Sequence, residues 1–390
     1  MDLSYSAEDE AFRAEVRTFL EDSLAGEWGS LRGLGGPGKD HEAIDERLAW
    51  NRHLAAHGWT CVGWPTEHGG RGLSLWQQVI FHEEYARCAA PARVNHLGEE
   101  LLGPTLIAFG TPEQQRRFLP RIAAVEELWA QGYSEPNAGS DLANVQTRAR
   151  LEGDHWVLDG QKVWTSNAHL SQWLFVLARS EAGSERHRGL SFLLVPIDQD
   201  GVEVRPIEQL TGGSEFNEVF LTGARTPGDL VVGEPGDGWR VAMALLGFER
   251  GVSVVGQVVG FGRELDGVVA LARESGRLDD PVLRDRLARL AVELEIMRLQ
   301  ALRGLSATDE AGAASIFKLV WAGWHQRLGE VAMDVLGAAG LTARAAPYDL
   351  SEWQRLYLFS RADTIYGGSD EVQRNILAER VLGLPREARG

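Results

Sequence analysis

QGYSEPNAGSDLANV, Gln131 to Val145, stands at the first junction where the hydrophobic pattern of the chain leaves a helical period for a strand period. Its Gly, Ser, Asn and Pro residues make a polar turn whose backbone N–H groups and hydroxyls are available to a phosphate or a flat heterocycle. On these residues alone an ordinary surface loop is an equally good reading. Toward the N-terminus the pattern is helical, with apolar residues three and four apart in FRAEVRTFL and LWQQVIFHEEYARCAA. Thr111-Pro112-Glu113-Gln114 predicts a helix start, with a capping hydroxyl, a proline in the first turn and a reciprocal Gln before the apolar RRFLPRI. From Trp129 to about Asp229 the period is two, in RARLEGDHWVLDGQKVWTS, WLFVLARS, GLSFLLVPI and GVEVRPI. Gly-Asp, Asp-Gly and Gln-Asp-Gly read as the turns between short strands. After Gly238 helical spacing returns, beginning with WRVAMALLGFERGVSVVGQVVGFGRELDGVVALARE. The chain therefore reads as an α+β multidomain protein: helical over 1–128, a β-sandwich or barrel over 129–235, and a helical bundle over 236–390.

Composition narrows the function classes. A chain of 390 residues, 44% hydrophobic and 24% charged, has the size of two or three globular domains. It contains no apolar run long enough to span a bilayer, and Met1 is followed by the acidic, amphipathic DLSYSAEDEAFRAEVRTFL, which is not a secretory leader pattern; this predicts a cytoplasmic protein with no membrane insertion. Cys61 and Cys88 form neither a metal-ligand cluster nor a disulfide framework and read as two buried thiols, so no metal is expected. A formal net charge of -17 repels nucleic acid and anionic lipid. An anionic ligand must be held by local donors.

SEPNAGSD, followed by DGQKVWTSNA and then by IYGGSDEVQRNILAERVLG near the C-terminus, resembles the acyl-CoA dehydrogenase family, and the likeness runs along essentially the whole chain. The resemblance implies an N-terminal helical domain, a central β domain and a C-terminal four-helix bundle, usually in a tetramer, with FAD between the β domain and the last helices. It implies that Gln131, Tyr133 and Ser134 approach the isoalloxazine ring, and that Gly139 and Ser140 lie near the FAD pyrophosphate. Trp164 and Ser166 would flank the flavin; without the surrounding motif, Trp164 reads as a buried structural Trp. Ser140 and Arg250 are the candidate substrate contacts.

The reaction that the resemblance implies removes a proton from Cα of an acyl thioester while hydride leaves Cβ for the flavin, and it needs one carboxylate base and donors on the thioester oxygen. The family's common base is the Glu of a Tyr-Glu-Gly-Thr stretch, which here reads Tyr366-Gly367-Gly368-Ser369. The main-chain N–H of Gly367 remains as an implied oxyanion donor. Some relatives carry the Glu on an earlier helix, directly before an Arg, and that position here is Glu249, followed by Arg250 in MALLGFERGVSVV. Leu245, Leu246, Val252 and Ser253 lie one turn from Glu249, which gives it a largely apolar helix face, while Arg250 points roughly 100° away. A carboxylate in such surroundings has its pKa raised toward the range of a working base; on residue logic alone, an ion pair with a distant Arg stays open. Loss of the side chain at Gly367 opens space over the flavin, which predicts a branched or bulky acyl group.

The cofactor contacts from a neighbouring subunit depart from the family pattern. Arg273, in RESGR, is the nearest match for an Arg that reaches the neighbour's FAD pyrophosphate. The family's Gln-x-x-Gly-Gly appears as Asp334-Val335-Leu336-Gly337-Ala338, so Gly337 is retained while an Asp stands where it would meet FAD unfavourably unless turned away. Ser369 and Glu371 match the hydroxyl and polar residue beside the adenosine moiety. These departures resemble heteromeric members, so the implied assembly is a homotetramer or a heterotetramer. Electron-transfer flavoprotein is the implied electron acceptor. An acyl-carrier-protein thioester dehydrogenase, a flavin oxidase or monooxygenase, and a partner subunit without catalysis are the competing readings.

Overall fold

The computed structural model describes residues 5–248, 253–304, 310–343 and 349–385. Three N-terminal helices, α1 (Ala7–Ala25), α2 (Ile44–Ala56) and α3 (Leu75–Arg87), bury Val16, Leu20, Trp50, Leu54, Ile80 and Phe81 against one another. Inside this cluster, Arg13 bridges Glu83 and Glu84 at 2.8 and 2.9 Å, so these buried carboxylates keep a partner. A wide turn with i to i+5 bonding, Leu97–Leu102, runs into α4 (Gly103–Phe109), and α5 (Pro112–Ala123) follows. The predicted helix start is present: Thr111 Oγ1 accepts from Gln114 N at 3.2 Å, and Gln114 Oε1 accepts from Thr111 N at 3.1 Å. Gln114 Nε2 also donates to the carbonyls of Asp229 and Val231 at 2.7 and 2.8 Å. One residue thus caps a helix and fastens the helical segment to the sheet.

The strands are β1 (Trp129–Gly132), β2 (Arg148–Glu152), β3 (His155–Ser166), β4 (Trp173–Arg179), β5 (Leu190–Pro196), β6 (Val202–Ile207), β7 (Phe216–Pro227) and β8 (Val231–Val232). They form one sheet in the order β6-β7-β3-β2-β4-β5-β8, with β1 pairing β4 in parallel. Two sequence expectations need correction. β3 and β7 are 12 residues long, and FNEVFLTGARTP was not read as a strand. Asp159-Gly160, read as a turn, lies inside β3 at a register shift. Asp159 Oδ1 accepts from Gly223 N at 2.8 Å, and a Cβ on Gly160 would sit 2.4 Å from Thr147 Oγ1, so the glycine serves a close strand approach.

β4 and β5 are buried on both faces, which is why WLFVLARS and GLSFLLVPI read as continuous apolar runs. Leu174, Val176, Leu193 and Val195 face a core shared with Ala130, Leu158 and Val219. Phe175, Leu177, Phe192 and Leu194 face the helical side, against Leu101, Leu102, Phe118, Val241 and Leu245.

The chain then forms α6 (Gly238–Phe248), α7 (Ser253–Glu274), α8 (Pro281–Gly304) and α9 (Glu310–Leu336), followed by α10 (Glu352–Ser360) and α11 (Asp370–Ile376). Phe261, Leu265, Leu287, Leu290, Trp321, Trp324 and Leu328 fill the bundle core, with Trp353 and Leu356 of α10 against it. The early part of α7 lies tight on α3: a Cβ at Gly256 would stand 3.0 Å from the His82 carbonyl oxygen. Cys61 and Cys88 are free thiols in the interior.

Candidate active site

β1 delivers the chain into the QGYSEPNAGSD loop, and a single buried ammonium organises it. Lys162 Nζ donates to the Tyr133 carbonyl at 3.0 Å, to the Leu177 carbonyl at 2.7 Å and to Glu135 Oε1 at 2.8 Å. Glu135 also accepts from the amides of Gln146 and Thr147 at 2.6 and 2.9 Å. Burial opposes the Glu135 charge, but Lys162 and these donors outweigh it, and the carboxyl lies below its ordinary range. The backbone closes the turn with Glu135 N to Ala138 O at 3.1 Å and Ala138 N to Glu135 O at 3.0 Å. Sequence reasoning passed over both Glu135 and Lys162. The available signal was a lysine in the middle of an alternating strand, since a charged residue at a buried position requires a partner.

The loop meets the second motif directly. Val163 N donates to the Ser134 carbonyl at 2.9 Å. The next residue, Trp164, sits at a register shift with φ 60 and is 58% exposed. Within this chain Trp164 is not a core side chain. A bulky side chain in the left-handed region costs about 1–3 kcal/mol and marks a functional constraint. The result is an aromatic ring lying open beside the loop, with Phe216 edge-on at 6.2 Å. Gln131, Ser134 and Ser166 are half-buried around it, while Gly139 and Ser140 are exposed and a Cβ on Gly139 would meet nothing within 4 Å. An uncovered flat ring, a backbone turn with room for close approach and flanking hydroxyls fit a planar, phosphate-bearing cofactor such as FAD.

The C-terminal motif forms a second turn. Gly367 and Gly368 have φ 63 and 88, two successive left-handed residues, so the glycine pair has a conformational reason as well as removing a carboxylate. The buried Gln373 donates to the carbonyls of Gly367 and Gly368 at 3.3 and 3.2 Å, and Asp370 N donates to the Thr364 carbonyl at 3.0 Å. Ser369 caps α11, accepting from Val372 N at 3.4 Å, and Glu371 is exposed in the first turn of that helix. Beneath the turn, Asp363 accepts from Tyr366 Oη at 2.7 Å and pairs with His325 Nδ1 at 2.5 Å. His325 Nε2 faces Glu264 Oε2 at 3.0 Å. Burial pulls the imidazole pKa down, but the two carboxylates outweigh it and raise it to about 9.

Glu249 and Arg250 lie outside the described residues; α6 ends at Phe248 and α7 begins at Ser253 on either side of them. Arg273 is exposed near the far end of α7, 20 residues and about 30 Å of helix from Ser253. Gly337, with φ 57, follows the end of α9. Asp334 pairs with Arg286, and its carbonyl accepts from Arg277 at 2.9 Å. Its carboxylate is thus taken up within the chain. None of the described contacts joins Arg273 or Gly337 to the 131–140 loop. A further cluster went unread in the sequence. On the wide turn that packs against β1 and α6, Arg93 bridges Glu99, at 2.6 Å, and Glu100. Burial pushes Glu99 up to about 7 and the nearby His82 down to about 4.

Helices, an eight-stranded sheet and a helical bundle, with a polar loop at the strand junction beside an exposed Trp, define an acyl-CoA dehydrogenase architecture. The chain matches the acyl-CoA dehydrogenase N-terminal domain over residues 6–126, the middle domain over 130–223 and the C-terminal domain over 236–382. It belongs to the acyl-CoA dehydrogenase family, as an enzyme whose cofactor is FAD. It is 65% identical over 383 residues to acyl-CoA dehydrogenase IpdE1 of Mycobacterium tuberculosis, covering 98% of this chain and 99% of the relative. Acyl-CoA dehydrogenase IpdE1 of Mycolicibacterium smegmatis is 62% identical over 393 residues, covering 98% of this chain and all of the relative. Among solved structures, the Tcur3481-Tcur3483 steroid ACAD superimposes with a TM-score of 0.85 at 31% identity, over 99% of this chain and 100% of that one. The ChsE4-ChsE5 complex from Mycobacterium tuberculosis gives 0.81 at 31% identity, over 99% and 100%.

Proposed function

We propose that this enzyme dehydrogenates a bulky, ring-bearing or branched acyl-CoA at Cα–Cβ, with Glu249 as the base. The observation that carries the reading is the Gly367-Gly368 turn, held by Gln373, which carries no carboxylate side chain where the family's common base would stand. The base must then come from elsewhere, and Glu249 in the segment between α6 and α7 is the candidate that the sequence supplies. FAD, when bound, accepts the hydride from Cβ. The chain's own residues do the rest: Glu249 takes the Cα proton, Gly367 N–H donates to the thioester oxygen, and Arg250 and Ser140 hold the substrate. Ser134 and Ser166 donate toward the cofactor, Gln131 and the main chain of Tyr133, whose ring is buried against Phe175 and Phe192, approach its ring, and Trp164 shields it from water. Gly139 and Ser140 meet the pyrophosphate, while Ser369 and Glu371 lie by the adenosine. Steroid-acting neighbours at full coverage support the bulky acyl group.

A shared cofactor site in a heteromer is favoured by a specific observation, the Asp334–Arg286 pair where the family has a cofactor-contacting Gln, and two-component neighbours support it. Arg273 and Gly337 would then serve the adjoining subunit. Electron-transfer flavoprotein is the proposed acceptor and the cytoplasm the proposed location; among the described residues no helix is long and apolar enough to cross a membrane.

Glu249→Gln tests the base. The variant keeps FAD and binds thioester, yet fails to bleach the flavin when substrate is added without oxygen; undiminished bleaching removes Glu249 from the role. A competition between butyryl-CoA and cyclohexanecarboxyl-CoA tests the substrate, and preference for the straight chain contradicts it.

A further inference from the structure

The turn that carries Gly367 is tied to the rest of the bundle through one buried side chain that the proposed chemistry does not use. His325, in the middle of α9, has both ring nitrogens on carboxylates: Nδ1 on Asp363 Oδ2 at 2.5 Å and Nε2 on Glu264 Oε2 at 3.0 Å. Glu264 belongs to α7, the helix that begins directly after the segment containing Glu249. Asp363 belongs to the opposite partner, the turn that leads to Gly367. Its second oxygen accepts from Tyr366 Oη at 2.7 Å, and its carbonyl accepts from Lys318 Nζ. The Lys318 ammonium lies over the rings of Trp321 and Tyr366, at 4.2 and 4.5 Å. The His325 ring packs tilted, at 33°, against Phe261 of α7 at 4.6 Å between centroids. His325 and Asp363 are 6% and 1% exposed, so the bond between them is shielded from water, while the Glu264 side chain on the other ring nitrogen is half-exposed.

Buried ionic groups of this kind are a poor source of net stability, because desolvation cancels most of the attraction; their attested use is to fix one arrangement among several. The arrangement fixed here is the turn carrying the Gly367 N–H with respect to the helix after Glu249.

We propose that His325 and Asp363 are positioning residues that hold the turn carrying the Gly367 N–H against α7, through Tyr366 on one side and Glu264 on the other. The proposal rests on the oxyanion role given to Gly367 above. Neither side chain touches the thioester; both act through the backbone of the turn. A donor aimed at a developing oxyanion is worth its full effect only when its geometry is preset, and a displacement on the order of 1 Å costs about 100-fold in rate.

The test uses FAD-loaded protein and two readouts. The first is turnover with whichever CoA thioester, from butyryl to cyclohexanecarboxyl, bleaches the native flavin fastest. His325→Gln is expected to keep FAD and a KM within about threefold of native while kcat falls about 10- to 100-fold. The second is binding of acetoacetyl-CoA, whose acidic Cα proton makes its bound enolate absorbance a report on the oxyanion donors without turnover. The enolate fraction is expected to fall in His325→Gln and in Asp363→Asn. Native kcat and enolate fraction in a folded, FAD-loaded His325→Gln would overturn the proposal, as would a loss of activity that only follows lost FAD. If His325→Gln does not fold, Tyr366→Phe removes the hydroxyl on Asp363 alone. A lower enolate fraction with unchanged KM supports the coupling, and a native enolate fraction overturns it. The base is separable from this. A Glu249→Gln protein that still bleaches beside a slow His325→Gln with weak enolate signal would remove Glu249 while leaving the positioning pair supported.

Discussion

Replacing Lys162 with Met removes the ammonium that anchors the 131–145 loop while keeping most of the side-chain volume. The structure sets the size of the effect. Lys162 is fully buried and donates to two carbonyls and one carboxylate. Each hydrogen bond to a charged group is worth about 1.5–3 kcal/mol net, and removing one partner of a buried ion pair costs about 3–5 kcal/mol, because the other charge is stranded. A loss of about 4 kcal/mol is therefore expected. Since native proteins hold about 5–15 kcal/mol, this is a large share of the total. The double variant Lys162→Met/Glu135→Gln removes the stranded charge and should recover at least about 1 kcal/mol of that loss. Urea unfolding followed by circular dichroism, with flavin release recorded in the same samples, measures both quantities. Flavin should leave Lys162→Met at lower urea than the secondary structure melts, because Tyr133 and Ser134 lose their anchor first. A loss below about 1 kcal/mol, or a double variant no better than the single one, would refute the reasoning.

Gly103→Ala should destabilise the protein by about 1–3 kcal/mol, since its Cβ would stand 1.8 Å from Trp64 Cζ2, in a ring whose Nε1 donates to the Glu99 carbonyl at 3.0 Å; a melting temperature within 1 °C of native, read by thermal unfolding, contradicts this. The His325 imidazole predicts a pH dependence. The folded state holds this proton with a pKa raised from 6.5 to about 9, so the associated stability, about 3 kcal/mol, is complete below pH 6.5 and lost as pH rises through 9. Urea midpoints from pH 6 to 10 should fall along this course in the native protein and less in His325→Gln; parallel profiles would contradict it.

The local order of the chain was legible from its amino acids, because period-two and period-3.6 spacing, the Thr111 capping box and the two-sided apolar runs of β4 and β5 are written in neighbouring residues. The SEPNAGSD and WTS motifs likewise stood out in the sequence, since both depend on residue types a few positions apart, and the fold joins them through Val163 N and the Ser134 carbonyl. What neighbouring residues do not encode is which distant groups meet in the interior. Lys162 reaches Tyr133, Glu135 and Leu177 only because β3 packs against β1, the strand that pairs with β4. Asp159-Gly160 looks like a turn until β7 and Thr147 pack against it. Glu264, His325 and Asp363 are separated by 61 and 38 positions and become one array only when α7, α9 and the final turn close together. A buried charge survives only with a partner, and partners are chosen by tertiary packing, so the ionic framework of this enzyme was decided by the fold, while its helical and strand periods and the polar 131–145 turn were written in the sequence.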